Sequence, residues 1–169
     1  MWNDTDTPLA YLITIRTYGT WLHGDERGST NRFRNRYGSR HLPKEDSWLQ
    51  TNKSRMAAEP ILLDAQMRQC VQNAIKETCG FRNWLLYAIN VRTNHAHAVV
   101  AIGSKKPEIA LNAFKANATR EMREAGLVSV VKSPWADKGS KRSLWNENHI
   151  DAAIEYVLYG QGDDLPTFG

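Results

Sequence analysis

Apolar and polar positions fall into successive segments of different period along this chain. Leu9 to Tyr18 is rich in β-forming residues (Tyr11, Ile13, Ile15, Tyr18) and reads as a first strand, broken by Gly19-Thr20-Trp21-Leu22-His23-Gly24. Residues 23 to 59 are polar, Arg-rich and aperiodic, a long insertion of the kind that is usually functional or disordered. Pro60 suits the first position of a helix. The spacing of Leu63, Met67, Cys70, Val71, Ala74 and Ile75 predicts that helix over Ile61 to Thr78, with Gly80 at its end. Trp84 to Val91 reads as a second strand, Arg92-Thr93-Asn94 as a tight connection, and His95 to Ile102 as its antiparallel partner. Pro107 to Ala125 shows a second helical stripe (Ala110, Ala113, Phe114, Ala118, Met122) closed by Gly126. Residues 127 to 142 read as an irregular basic connection, and Ser143 to Asn146 as a short last strand. A terminal helix starts at Asn148 or His149 and runs to about Tyr159, before Gly160.

The order is strand, helix, strand, strand, helix, strand, helix. It predicts an α+β fold, a ferredoxin-like antiparallel β-sheet with helices packed on it, as one domain over residues 1–169. Composition agrees with a globular chain: 41% hydrophobic and 24% charged residues, and 169 residues in all, bury a sizeable core. No apolar run approaches the roughly 20 residues that span a bilayer, and the N-terminus has no basic and apolar leader pattern. Cys70 and Cys79 lie nine residues apart on one helix, on roughly opposite sides, so a disulfide is not expected and a reducing cytoplasm is.

The net charge of +4 is mild, but its distribution is informative. Arg27, Arg32, Arg34, Arg36, Arg40 and Lys44 occur in one stretch without an acid, interleaved with Phe33 and Tyr37. That pattern suits phosphate contact with base stacking, and it also suits a solvated loop. Lys115, Arg120 and Arg123 are the cations of the second long helix.

Candidate chemistry begins at His95-Ala96-His97. On a strand the two imidazoles project from one face and can grip one divalent ion, which polarises phosphoryl oxygens. The last helix carries an apolar stripe (Ile150, Ala153, Ile154, Val157, Leu158). Tyr156 falls roughly 130° from its middle and Tyr159 about opposite it, so neither is an obvious core residue. A tyrosine oxygen can attack phosphorus and hold a covalent intermediate. Gln161, just beyond the helix, could offer an amide oxygen as third ligand. Two imidazoles and one amide oxygen suit Mg²⁺ or Mn²⁺ tolerably.

Three segments together resemble the single-tyrosine transposases of the HUH superfamily, the small enzymes of bacterial insertion sequences, and more narrowly their relatives associated with repetitive extragenic palindromes. These are Asn94-His95-Ala96-His97-Ala98-Val99-Val100, Tyr156-Val157-Leu158-Tyr159-Gly160-Gln161-Gly162 and Thr17-Tyr18-Gly19-Thr20-Trp21-Leu22. The resemblance covers almost the whole chain. It implies the HUH endonuclease fold, usually in a homodimer, and a transposase that cleaves and rejoins single-stranded DNA near a palindromic hairpin in the bacterial cytoplasm. It implies that His95, His97 and Gln161 bind the metal. Tyr156, on a catalytic helix at about 149–160, would form a 5′-phosphotyrosine and release a 3′-hydroxyl. In many members that tyrosine serves the partner subunit's histidines. The sequence departs from the family at Ala96, smaller than the usual residue, and at Gly160. The family often places Gln or Asn there, four residues after the tyrosine, whereas Gln161 lies five after.

Other classes compete. A histidine-triad nucleotide hydrolase needs a third His where Val99 stands. A non-catalytic single-strand or hairpin nucleic-acid-binding module would stack bases on Trp84, Tyr87, Tyr11 and Phe33. A domesticated relative would use the same site as a mobile one. If the insertion at about 23–59 grips DNA, with Lys115 and Arg120 helping to hold it, combined Arg27, Arg32, Arg34 and Arg36 to Ala changes should weaken hairpin binding. The slope of log affinity against log salt should then fall by roughly 1 for each phosphate that is no longer neutralised, and an unchanged slope would dismiss the insertion as a DNA grip.

Overall fold

A computed structural model describes residues 7–19, 60–129, 132–162 and 165. By its contacts the chain divides into 1–17 with 62–169, and 18–61; every element described here belongs to the first. The basic insertion, with Arg27, Arg32, Arg34 and Arg36, lies outside the described residues.

The elements run β1 (Ala10–Arg16), α1 (Ala65–Arg82), β2 (Leu85–Val91), β3 (His95–Ala101), α2 (Pro107–Glu124), β4 (Ser140–Leu144) and α3 (Glu147–Tyr159). The sheet order is β2-β3-β1-β4, antiparallel throughout. This is the ferredoxin-like α+β topology expected from the element order. Thr14 pairs with His97 and Leu12 with Val99 across β1 and β3. Asn90 pairs with His97 across β2 and β3, and a bulge at Tyr87 interrupts that ladder between Leu86 and Ala88.

Strand alternation sorts the side chains into two layers. On one face Ala10, Leu12, Ala88, Val99 and Leu144 form a cluster with Ile150, Ala153 and Val157 of α3. The other face carries Ile13, Ile15, Ala96, Ala98 and Val100, all buried, beneath α1 and α2. There Trp84 meets Phe114 of α2 edge to face, with ring centroids 6.2 Å apart. Both faces of the sheet are therefore covered.

Several boundaries differ from the sequence expectation, each for a local reason. The first long helix starts at Ala65, not Ile61, because the Asp64 carboxylate accepts from Met67 N–H as an N-cap, while Leu63 N–H is drawn off to the carbonyl of Thr93. The same helix runs through Gly80 and ends at Asn83, which takes up the left-handed conformation at φ 60°. The last strand is Ser140–Leu144, not Ser143–Asn146: Asn146 leaves the sheet to cap α3 by accepting from His149 N–H at 2.8 Å.

Phe114 is 1% exposed and joins α2 to the α1 end of the core. Phe114→Ala should lower the unfolding free energy by about 3–5 kcal/mol in urea titrations. A loss below about 1 kcal/mol would show that this ring does not seal the layer.

Candidate active site

The β3 alternation places His95 and His97 on the face that α3 covers, with ring centroids 4.6 Å apart. His97 is 6% exposed and His95 is half-buried. Each ring is held by its Nδ1. Thr14 Oγ1 lies 2.7 Å from His97 Nδ1, and His95 Nδ1 donates to Asn94 Oδ1 at 2.8 Å. Such partners fix the ring plane and leave Nε2 as the ring nitrogen free of these contacts.

α3 supplies the other groups. The burial of Ile150, Ala153 and Val157 turns Tyr156 toward β3, and its ring centroid stands 5.4 Å from that of His97. Tyr156 remains 48% exposed, open to a reactant. The end of the helix is tied down from the sheet, since Asn90 Nδ2 donates to the carbonyl of Val157 at 2.8 Å. Gly160 then follows Tyr156 so closely that a Cβ there would stand 2.8 Å from the Tyr156 carbonyl oxygen and 3.2 Å from its ring. The chain turns back, and Gln161 Nε2 donates to the Tyr156 carbonyl at 3.2 Å. That bond orients the amide, so that Gln161 Oε1 faces His95 Nε2 at 3.2 Å.

His95 Nε2 and Gln161 Oε1 stand at hydrogen-bond distance, 3.2 Å, where the amide oxygen accepts if the ring carries its proton on Nε2. Burial pushes the His95 pKa below the ordinary value, helped by Arg16 and Arg92 and opposed by the Gln161 contact. His97 is pushed down to about 4 by burial, with smaller contributions from His95 and Arg16 against Gln161. The last turn of α3 also carries no basic side chain to offset its carbonyl end. Among the described residues no group of three or more His, Cys, Asp and Glu side chains comes together; the groups that meet here are the two imidazoles and the Gln161 amide oxygen.

The structure thus brings His95, His97, Tyr156 and Gln161 together within one chain. Tyr159 points away and is 76% exposed. Lys115 and Arg120 stand on α2, on the opposite side of the sheet. The Lys115 ammonium donates to the carbonyls of Ala136 and Lys138 at 2.8 and 2.6 Å, and Arg120 donates to Asn117 and pairs with Glu124. Tyr11 and Trp84, expected as base-stacking rings in the binding-module reading, are buried at 6% and 7% exposure. Tyr87 is partly exposed, and Phe33 lies outside the described residues. Sequence reasoning overlooked Thr14 and Asn90. The signal was present as a polar residue inside each apolar strand pattern, at positions that pair with His97.

Among solved structures the chain is similar to a REP-associated tyrosine transposase bound to a REP hairpin. The identity is 12%, the alignment covers 93% of this chain and 68% of that one, and the TM-score is 0.49. No family model and no curated protein matches the sequence.

The depressed His97 pKa has a stability consequence. Above the unfolded value near 6.5 the ring is neutral in both states and contributes nothing. Between 6.5 and about 4 the unfolded chain binds a proton that the native state refuses, so stability falls as pH falls. Urea titrations should show a loss of roughly 2–4 kcal/mol across this window, removed in His97→Gln. An equal slope in the variant would assign the acid sensitivity to other groups.

Proposed function

We propose that this chain is a metal-dependent single-strand DNA transesterase that cleaves and rejoins strands beside palindromic hairpins through a 5′-phosphotyrosine. The observation that carries the reading is the convergence of a solvent-open tyrosine on an imidazole pair whose free nitrogen meets an amide oxygen. The motif resemblance of His95-Ala96-His97 and of Tyr156 to Gln161 points the same way.

In this reading His95, His97 and Gln161 hold Mg²⁺ or Mn²⁺, which supplies polarisation of a phosphate oxygen. Tyr156 Oη attacks the phosphorus and loses its proton to solvent. The bond to the 3′-oxygen breaks, that oxygen takes up a proton as the upstream fragment leaves, and the downstream fragment, which carries the 3′ end, stays on the tyrosine through its 5′-phosphate. A 3′-hydroxyl reverses the step, so the energy of the phosphodiester is kept and no nucleotide cofactor is consumed. Asn90 holds the helix end and Gly160 lets Gln161 fold back. Arg16 and Arg92, close enough to lower the histidine pKa, add positive potential for the phosphate. A homodimer is part of the proposal, although Tyr156 already stands beside the histidines of its own chain.

Single-stranded DNA labelled at its 3′ end and carrying a palindromic hairpin should, with Mn²⁺ or Mg²⁺, leave label covalently bound to the protein after denaturation. The adduct should vanish in Tyr156→Phe and in His95→Ala. Gln161→Ala should raise the metal concentration for half-maximal adduct by about tenfold or more. Tight hairpin binding without any adduct, indifferent to metal and to both variants, would instead make the chain a binding module.

A further inference from the structure

Beyond the tyrosine, the face of the sheet under α3 contains a cavity of about 270 Å³ that the chemistry above does not use. Its buried lining is apolar, Leu12, Leu144 and Ala153, and its exposed lining includes Ala152 and Tyr156. Arg142 and His149 stand on its rim. Trp145 N–H donates to His149 Nδ1 at 3.2 Å, so the neutral ring carries its proton on Nε2 and offers a donor, as Arg142 does. The volume falls just below the roughly 300 Å³ at which pockets for drug-sized ligands begin, which suits one flat heterocycle.

We propose that this cavity takes one unpaired nucleobase of the strand whose phosphate lies at Tyr156. This deepens the transesterase reading and rests on it for the source of the base. An apolar lining that includes an aromatic residue suits a π-face, and donors on the rim suit the carbonyl and ring-nitrogen acceptors of a base edge. Tyr156 belongs to both places: its ring centroid stands 5.4 Å from that of His97, and the residue lines the cavity. A base seated there sets which phosphate of a flexible strand reaches the tyrosine oxygen.

The test follows the methyl NMR signals of Ala152 and Ala153 as the four deoxynucleoside 5′-monophosphates are added at millimolar concentration, with deoxyribose 5-phosphate as the control without a base. Stacking makes the two methyls shift with at least one nucleotide and stay still with the sugar phosphate. Ala152→Leu, which fills the cavity from its exposed wall, should weaken the binding at least about tenfold, and Tyr156→Phe, which keeps the ring, should not. Methyls unmoved by all four nucleotides, or moved equally by the sugar phosphate, overturn the base pocket. If the covalent adduct forms while the methyls stay still, only the pocket is lost. If the methyls respond while no adduct forms, the transesterase reading is lost and base recognition stands.

Discussion

The side-chain period of β3 is the constraint on which the rest of the site depends. His95, His97 and Val99 face α3, while Ala96, Ala98 and Val100 face the layer under α1 and α2. A slip of one residue against β1 would drive both imidazoles into a closely packed apolar layer and turn the three small residues toward α3. The register is held by burial on both sides at once: Ala98, Val99 and Val100 are all at most 1% exposed. Thr14 and Asn90, the polar partners opposite His97 on its two neighbouring strands, reinforce the same register, because each finds its hydrogen bond only on the α3 face.

The second dependence is the seating of α3. Val157 is fully buried and Ala153 and Ile150 nearly so, which fixes the rotation of the helix about its axis. At 3.6 residues per turn, that rotation dictates where Tyr156 points. The tyrosine is therefore positioned by its neighbours' apolar burial and needs no polar contact of its own. The Asn90 bond to the Val157 carbonyl fixes the remaining freedom, the height of the helix end above the sheet. Two weak-looking features of the sequence, an asparagine in a strand and a valine after the tyrosine, thus place the Tyr156 side chain.

The topology was legible because the long helices and the first three strands have clear periods, and the helix stripes, the hairpin at Arg92-Thr93-Asn94 and the strand alternation survive in the fold. The boundaries that shifted were set by single hydrogen bonds, Asp64 to Met67 and Asn146 to His149, which periodicity does not register. The partners of the histidines were hidden for a related reason. Thr14 lies 83 residues from His97 in sequence, so only the β1–β3 register brings it to the ring. The cavity beside Tyr156 is likewise assembled from β1, β4 and α3, none of which declares it alone.

Gly160 shows how a missing side chain sets the course of the residue that follows it. A residue four after Tyr156 would lie one turn along the same helix face, and its side chain would project beside the tyrosine. Here that position is a glycine because a Cβ would collide with the Tyr156 carbonyl and crowd its ring. Ending the helix at Gly160 frees the next residue from the helical angle, and Gln161 uses that freedom to fold back onto the Tyr156 carbonyl. Its oxygen then arrives at His95 from beyond the helix end instead of from the helix surface. The two features belong together: a side chain at 160 would press on the Tyr156 carbonyl oxygen to which the Gln161 amide is bonded.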